Sequence, residues 1–225
     1  MRLLKRKPRS FDVQVHDVLL QITASPDLEE ESRAAALSFW EQIQSYSLKH
    51  PEFRDSKRPL TEPGGAPEIV REMVRSAATA GVGPMFTVKG ALADEVGRFL
   101  ASQVSELTVA VEGSFFIVTR KRMKLTVHRR EGGAPVSVVV DPRRGGVGVA
   151  TTIGRRRATE ADGWAVLATS TMLAEAATAG LQALLPKPDG LRTALAYLQR
   201  VPGVLGGVVV SGERIGVAGG VEIAA

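Results

Sequence analysis

Two glycine-bearing stretches are where this chain could hold an anion. Gly81-Val82-Gly83-Pro84-Met85 leads into Thr87, Lys89, Gly90 and Asp94. A glycine-rich turn ahead of a helix leaves backbone N–H groups aimed at whatever sits there, which favours phosphate. Lys89 would add a point charge. The second stretch, Gly148-Val149-Ala150-Thr151-Thr152-Ile153-Gly154, brings the hydroxyls of Thr151 and Thr152 and then Arg155-Arg156-Arg157. Each stretch also has the plainer reading of a connecting turn. The three histidines, His16, His50 and His128, are scattered without metal-ligand spacing, which fits surface or strand positions better than a metal site. No GxSxG, Walker A loop or strand–helix GxGxxG is present, so triad hydrolase, P-loop NTPase and Rossmann chemistry are not indicated. The absence of cysteine excludes disulfides, thiolate metal sites and a cysteine nucleophile.

The elements that must position these residues come in blocks. Residues 11–24 alternate apolar and polar, with a phase shift near His16-Asp17, and predict two short strands or one bent strand. Ser25 is placed to cap a helix, Pro26 suits its first position, and Ala36, Trp40, Ile43 and Ser47 give it helical spacing to about Lys49. Residues 51–67 hold four prolines and a Gly-Gly pair and predict a loop. Pro67 opens a second helix, and Val88, Leu92, Val96 and Leu100 mark a third over about 87–104. Strands are expected over 106–111, 114–119, 123–128, 136–140 and 164–169, with Gly132-Gly133 as a hairpin turn. An alanine-rich helix follows over 171–185, another over 189–200, and two or three short strands close the chain. Segregated helices and strands predict an α+β fold: a mixed or antiparallel sheet with helices on one side, as a single domain over 11–225. Residues 1–10 read as a basic extension. The expected core includes Trp40, Ile43, Val96, Leu100, Val109, Val138 and Val166.

Of the 225 residues, 44% are hydrophobic and 24% charged, an ordinary globular balance that excludes wholesale disorder. The lack of cysteine suits a cytoplasmic protein. The N-terminus has basic residues but no apolar core behind them, and no apolar stretch approaches the ~20 residues that span a bilayer, so neither signal peptide nor membrane partner is expected. The net charge of +5 comes with only 5% aromatics, none interleaved with the basic runs, so nucleic acid is not the favoured partner.

His50–Leu60, Ala66–Leu100 and Gly83-Pro84-Met85 with Gly90-Ala91-Leu92-Ala93 resemble an uncharacterised bacterial and archaeal family related to the ApbE flavin transferases. Lys89-Gly90 followed by Asp94 is similar to the lysine-glycine…aspartate pattern of the ApbE enzymes themselves. The resemblance covers residues 11–225 in order and is looser after 100. Gly148–Gly154 occupies the place of a threonine-serine-glycine turn, and Ala161-Asp162-Gly163 that of alanine-aspartate-alanine. The departures fall on the chemistry. Val111-Glu112-Gly113-Ser114 stands where asparagine-glycine-glycine-aspartate is usual. In the last helix the family's aspartate, four residues before a threonine, is Ala174 ahead of Thr178, with Glu175 one position later.

The resemblance implies an ApbE-like fold with a groove for a small nucleotide, FAD or FMN among the candidates, or for another phosphorylated compound. Gly83, Lys89, Gly90, Glu112, Gly113, Ser114, Thr151, Thr152 and Arg155 are the implied ligand residues. Glu175, Thr178 and Asp162 are the implied magnesium donors. ApbE chemistry cleaves the FAD pyrophosphate and transfers FMN to a protein threonine, which needs a metal and a clamp for developing charge. With its carboxylate set incomplete, the chain is expected to bind a ligand at an eroded catalytic site. An active magnesium-dependent transferase or FAD pyrophosphatase, and a non-catalytic interaction protein, are the alternatives. A homo-oligomer is left open.

Overall fold

The computed structural model describes residues 8–25, 28–127, 135–141, 145–152 and 163–224. β1 (Arg9–Val15) and β2 (Val18–Ala24) form an antiparallel hairpin turning at His16 (φ 52°). Then come α1 (Glu29–Lys49), α2 (Pro51–Asp55), α3 (Glu68–Ala80), a 3₁₀ turn (Pro84–Thr87) and α4 (Val88–Ala101). The middle holds β3 (Leu107–Val111), β4 (Ser114–Val118), β5 (Met123–Val127), β6 (Val136–Val140), β7 (Val147–Thr151) and β8 (Gly163–Ala168). α5 (Thr171–Leu184), α6 (Gly190–Arg200), β9 (Val204–Ser211), β10 (Arg214–Gly219) and β11 (Ile223–Ala224) complete the order.

Eight strands form one antiparallel sheet in the order β1-β2-β3-β4-β7-β8-β9-β10. β5 and β6 leave it and pair with β11 in a three-stranded sheet. On one face of the large sheet, Val13, Leu20, Ile22, Val109, Val111 and Phe116 pack with Ile43, Met73, Leu92, Val96 and Leu100 from α1, α3 and α4. Further along that face, Trp164, Val166 and Val209 meet Ala177, Leu181, Ala194 and Leu198 of α5 and α6. On the opposite face, Ile117, Val149, Leu167 and Val208 pack against Val127, Val136, Val138 and Val140 of the small sheet. The fold is therefore α+β and a single domain, with helices on one side as expected and a second sheet covering the middle of the other.

Several local expectations are corrected. α1 begins at Glu29 with Leu28 at the N-cap, so Ser25 does not cap it; Glu29, Glu30 and Glu31 supply the negative first turn that the helix dipole favours. Pro51 does not lead into plain loop. It occupies the first position of α2, where its missing N–H costs nothing and its φ is already helical. Trp40 is half-buried, its ring 6.4 Å from that of His16; the other expected core residues are buried. β1 starts at Arg9, two residues ahead of the expected domain boundary. The Gly132-Gly133 turn lies outside the described residues.

The main correction is β7. Val147–Thr151 is a strand, not a phosphate-cradling turn, and all five of its residues are buried. Covered on both faces, it carries no polar/apolar alternation, the signal by which a strand is read from sequence.

Candidate functional site

The site is built where α4 and α5 begin, above the β3–β4 turn. That turn is Val111-Glu112-Gly113-Ser114, with Val111 and Ser114 paired across it. Glu112 (φ 43°) and Gly113 (φ 88°) are both left-handed, the conformation a two-residue type I′ hairpin requires and one in which asparagine or glycine is at ease. Glutamate there is strained, and its carboxylate is held by Lys89 Nζ at 2.5 Å. The pair is solvent-facing, with side-chain exposures of 33% and 50%, so it orients more than it stabilises. Glu112→Gly is accordingly expected to raise stability by about 1 kcal/mol, strain relief exceeding the lost ion pair; urea unfolding of the two proteins measures it.

Gly113 carries the turn to β7: its carbonyl accepts the Thr151 N–H at 2.8 Å. The Thr152 N–H donates to the Trp164 carbonyl at 3.2 Å. Lys89, Glu112, Gly113 and Thr151, widely separated in sequence, are thus linked through direct contacts. Ser114 faces the helices from the first position of β4, fully buried, and its hydroxyl has no hydrogen-bond partner among the described residues. A buried hydroxyl without a partner is a rare feature that calls for a reason.

The two helix starts are bound to each other by carboxylates. The Gly90 N–H, in the first turn of α4, donates to Glu175 Oε2 of α5 at 2.7 Å. In return Asp94 of α4 accepts the Thr171 N–H at 2.8 Å and the Met172 N–H at 2.9 Å, the first two of α5. Ser170 Oγ takes a third, from Leu173, at 3.2 Å. The Thr171 hydroxyl donates to the Phe115 carbonyl at 3.1 Å and fixes α5 to β4. Each helix so supplies the anion that the positive end of the other attracts. Two glycines permit the approach. A Cβ on Gly90 would stand 2.7 Å from the Met172 nitrogen, and one on Gly148 would stand 2.0 Å from the Ser170 carbonyl carbon.

This changes the role of the first glycine stretch. The Gly90 N–H is not open to a phosphate, because Glu175 holds it. Gly83 is buried against α2's end, where a Cβ would meet the Ser56 oxygen at 2.0 Å, so its glycine has a packing reason. Glu175 is itself buried, and the Thr178 hydroxyl donates along its own helix to the Ala174 carbonyl at 2.8 Å. Arg155 and Asp162 lie outside the described residues. Among the described residues no group of three or more histidine, aspartate or glutamate side chains could hold a metal, and no helix is long and apolar enough to cross a membrane. Sequence reading noted Asp94 but missed its partners; Ser170 ahead of an alanine-rich run was the available capping signal.

The architecture is that of the ApbE flavin transferases. The apo flavinyl transferase ApbE of Pseudomonas stutzeri superposes with a TM-score of 0.61 at 16% identity, covering 97% of this chain and 96% of that one. The ApbE protein of Thermotoga maritima gives 0.59 at 11% identity, over 94% and 97%. The chain belongs to the family described as AbpE bacteria, whose model matches residues 1–191. Among curated relatives, a UPF0280 protein of Methanosarcina acetivorans is 26% identical over 95% of this chain and 88% of its own length. A UPF0280 protein of Methanopyrus kandleri is 29% identical over 92% and 88%.

Proposed function

We propose that this chain binds a phosphorylated small molecule, a flavin nucleotide foremost, where Lys89, the Glu112–Ser114 turn and the end of β7 meet, without efficient metal-dependent transfer. The convergence of these segments, with a strained glutamate and an unpartnered buried Ser114 hydroxyl at their meeting point, carries the reading; conformational strain and unsatisfied polar groups concentrate where ligands bind. Lys89 would meet a phosphate by exchanging its partner Glu112. The Thr152 side chain would extend the polar surface.

The donors among the described residues do not suit magnesium. That ion keeps near-ideal octahedral geometry and is usually anchored by one or two carboxylates besides the substrate phosphates. Position 174 is alanine, Glu175 is engaged in capping α4, and Thr178 offers a hydroxyl already bonded within its helix.

Incubation of the purified protein with FAD and magnesium is expected to release AMP barely above the uncatalysed level, while titration of FAD against the protein shows weak, saturable binding that Lys89→Ala reduces. Robust magnesium-dependent AMP release, abolished by Thr178→Ala, would establish the transferase reading instead. Absence of any binding of FAD, FMN or AMP, with Lys89→Ala unchanged, would leave an interaction protein on this fold.

A further inference from the structure

A concavity of about 740 Å³ lies between α6 and the outer edge of β10. β10 is the last strand of the large sheet, and among the described residues nothing pairs with its outer side. Every second N–H and C=O along it therefore points at the groove, ready for another strand. Edge strands are commonly protected by charge or proline. β1, at the opposite edge, follows Pro8 and turns Asp12 and Gln14 outward. β10 instead exposes Ile215 and Val217, at 46% and 41%. Leu191 and Leu195 of α6 form the apolar wall above the edge.

The charge of the groove selects its occupant. Lys187, Arg192 and Arg214 line it with one carboxylate, Asp189, which Arg192 holds at 3.2 Å. Lys187 and Arg214 pair with no carboxylate among the described residues. A second copy of this chain would bring the same cations to the same place. We propose that this groove receives an extended segment of a partner protein, acidic at one end, which adds to β10 as a ninth strand and turns one face toward α6, with apolar side chains level with Gly216 against Leu191 and Leu195 and carboxylates at the Arg214 end, on that same face, set on Lys187 and Arg214. Strand addition draws affinity from main-chain hydrogen bonds and specificity from the alternate side chains. The groove is separate in lining from the Lys89–Ser114 site and does not depend on what that site binds.

The test uses the whole protein and labelled nine-residue peptides followed by fluorescence anisotropy. A peptide of valine and threonine with two glutamates near one end, two positions apart so that both share a face, should bind saturably and weaken as salt rises. The same peptide with lysine for glutamate, and one with a central proline, should each bind at least about tenfold more weakly, a difference of about 1.4 kcal/mol. Lys187→Glu combined with Arg214→Glu should reverse the preference in favour of the lysine peptide. Equal binding of both charges, full affinity for the proline peptide, or no binding at low salt would overturn the proposal. So would a concentration-dependent dimer in sedimentation that Ile215→Lys abolishes, because the edge would then belong to a second copy.

Discussion

Asp94→Ala is expected to lower the unfolding free energy by about 3 kcal/mol, because it strands two buried backbone N–H groups and removes the anion at the start of α5. Asp94 is only 1% exposed, and both its oxygens are used, one on Thr171 and one on Met172. Water cannot replace it without opening the α4–α5 junction. Urea denaturation measures the loss, and a change below about 1 kcal/mol would show that the caps are replaceable.

The same residue gives a pH dependence with a definite sign. Burial pushes the Asp94 carboxyl above the usual carboxylate range, while hydrogen bonds from Thr171 and Met172 and the charge of Arg98 pull against it. A folded pKa above the unfolded one means that the native state holds the proton more tightly. Stability then falls as pH rises from the unfolded pKa through the folded one, and returns on acidification. Relative to Asp94→Asn, which does not titrate, the native protein should gain stability between pH 7 and about pH 4. A margin that shrinks on acidification would show that the two caps outweigh burial and keep the carboxylate ionised.

Gly148→Ala is expected to cost about 3 kcal/mol or to prevent folding, as overpacking does where the neighbours cannot yield. The new methyl carbon would fall 2.0 Å from the Ser170 carbonyl carbon and 2.1 Å from the Thr171 nitrogen. Both are backbone atoms at a helix start already bonded to Asp94 and Phe115, so no rotamer change relieves the clash. Gly64→Ala is the control: nothing lies within 4 Å of its Cβ position, and its effect should stay within about 0.5 kcal/mol. Thermal unfolding and soluble yield compare the two variants. Near-equal stabilities would mean that α5 is not seated on β7 as described.

The helices were legible where a buried stripe recurs at helical spacing, as in α4, where Leu92, Val96 and Leu100 are all buried. Most strands were legible where one face is covered, as in β1, whose burial alternates along its length. β7 was not, because burial on both faces erases the alternation. Nor was the departure of β5 and β6 into a second sheet, because pairing partners are chosen across the fold and not along the chain.

The candidate site divides in the same way. Residue type alone determined that no thiol chemistry exists here, that the Ala174 side chain cannot ligate a metal, and that the turn Val111-Glu112-Gly113-Ser114 lacks an aspartate. Only the tertiary structure decided what the remaining polar groups do. Gly90 and Glu175 are 85 residues apart and Asp94 and Thr171 are 77 apart, so neither pair carries a local signal. A carboxylate near a glycine turn reads equally as metal ligand or helix cap. Which one it becomes depends on whether a second helix start lies within about 3 Å of its oxygens, a distance set by glycines that let two backbones meet.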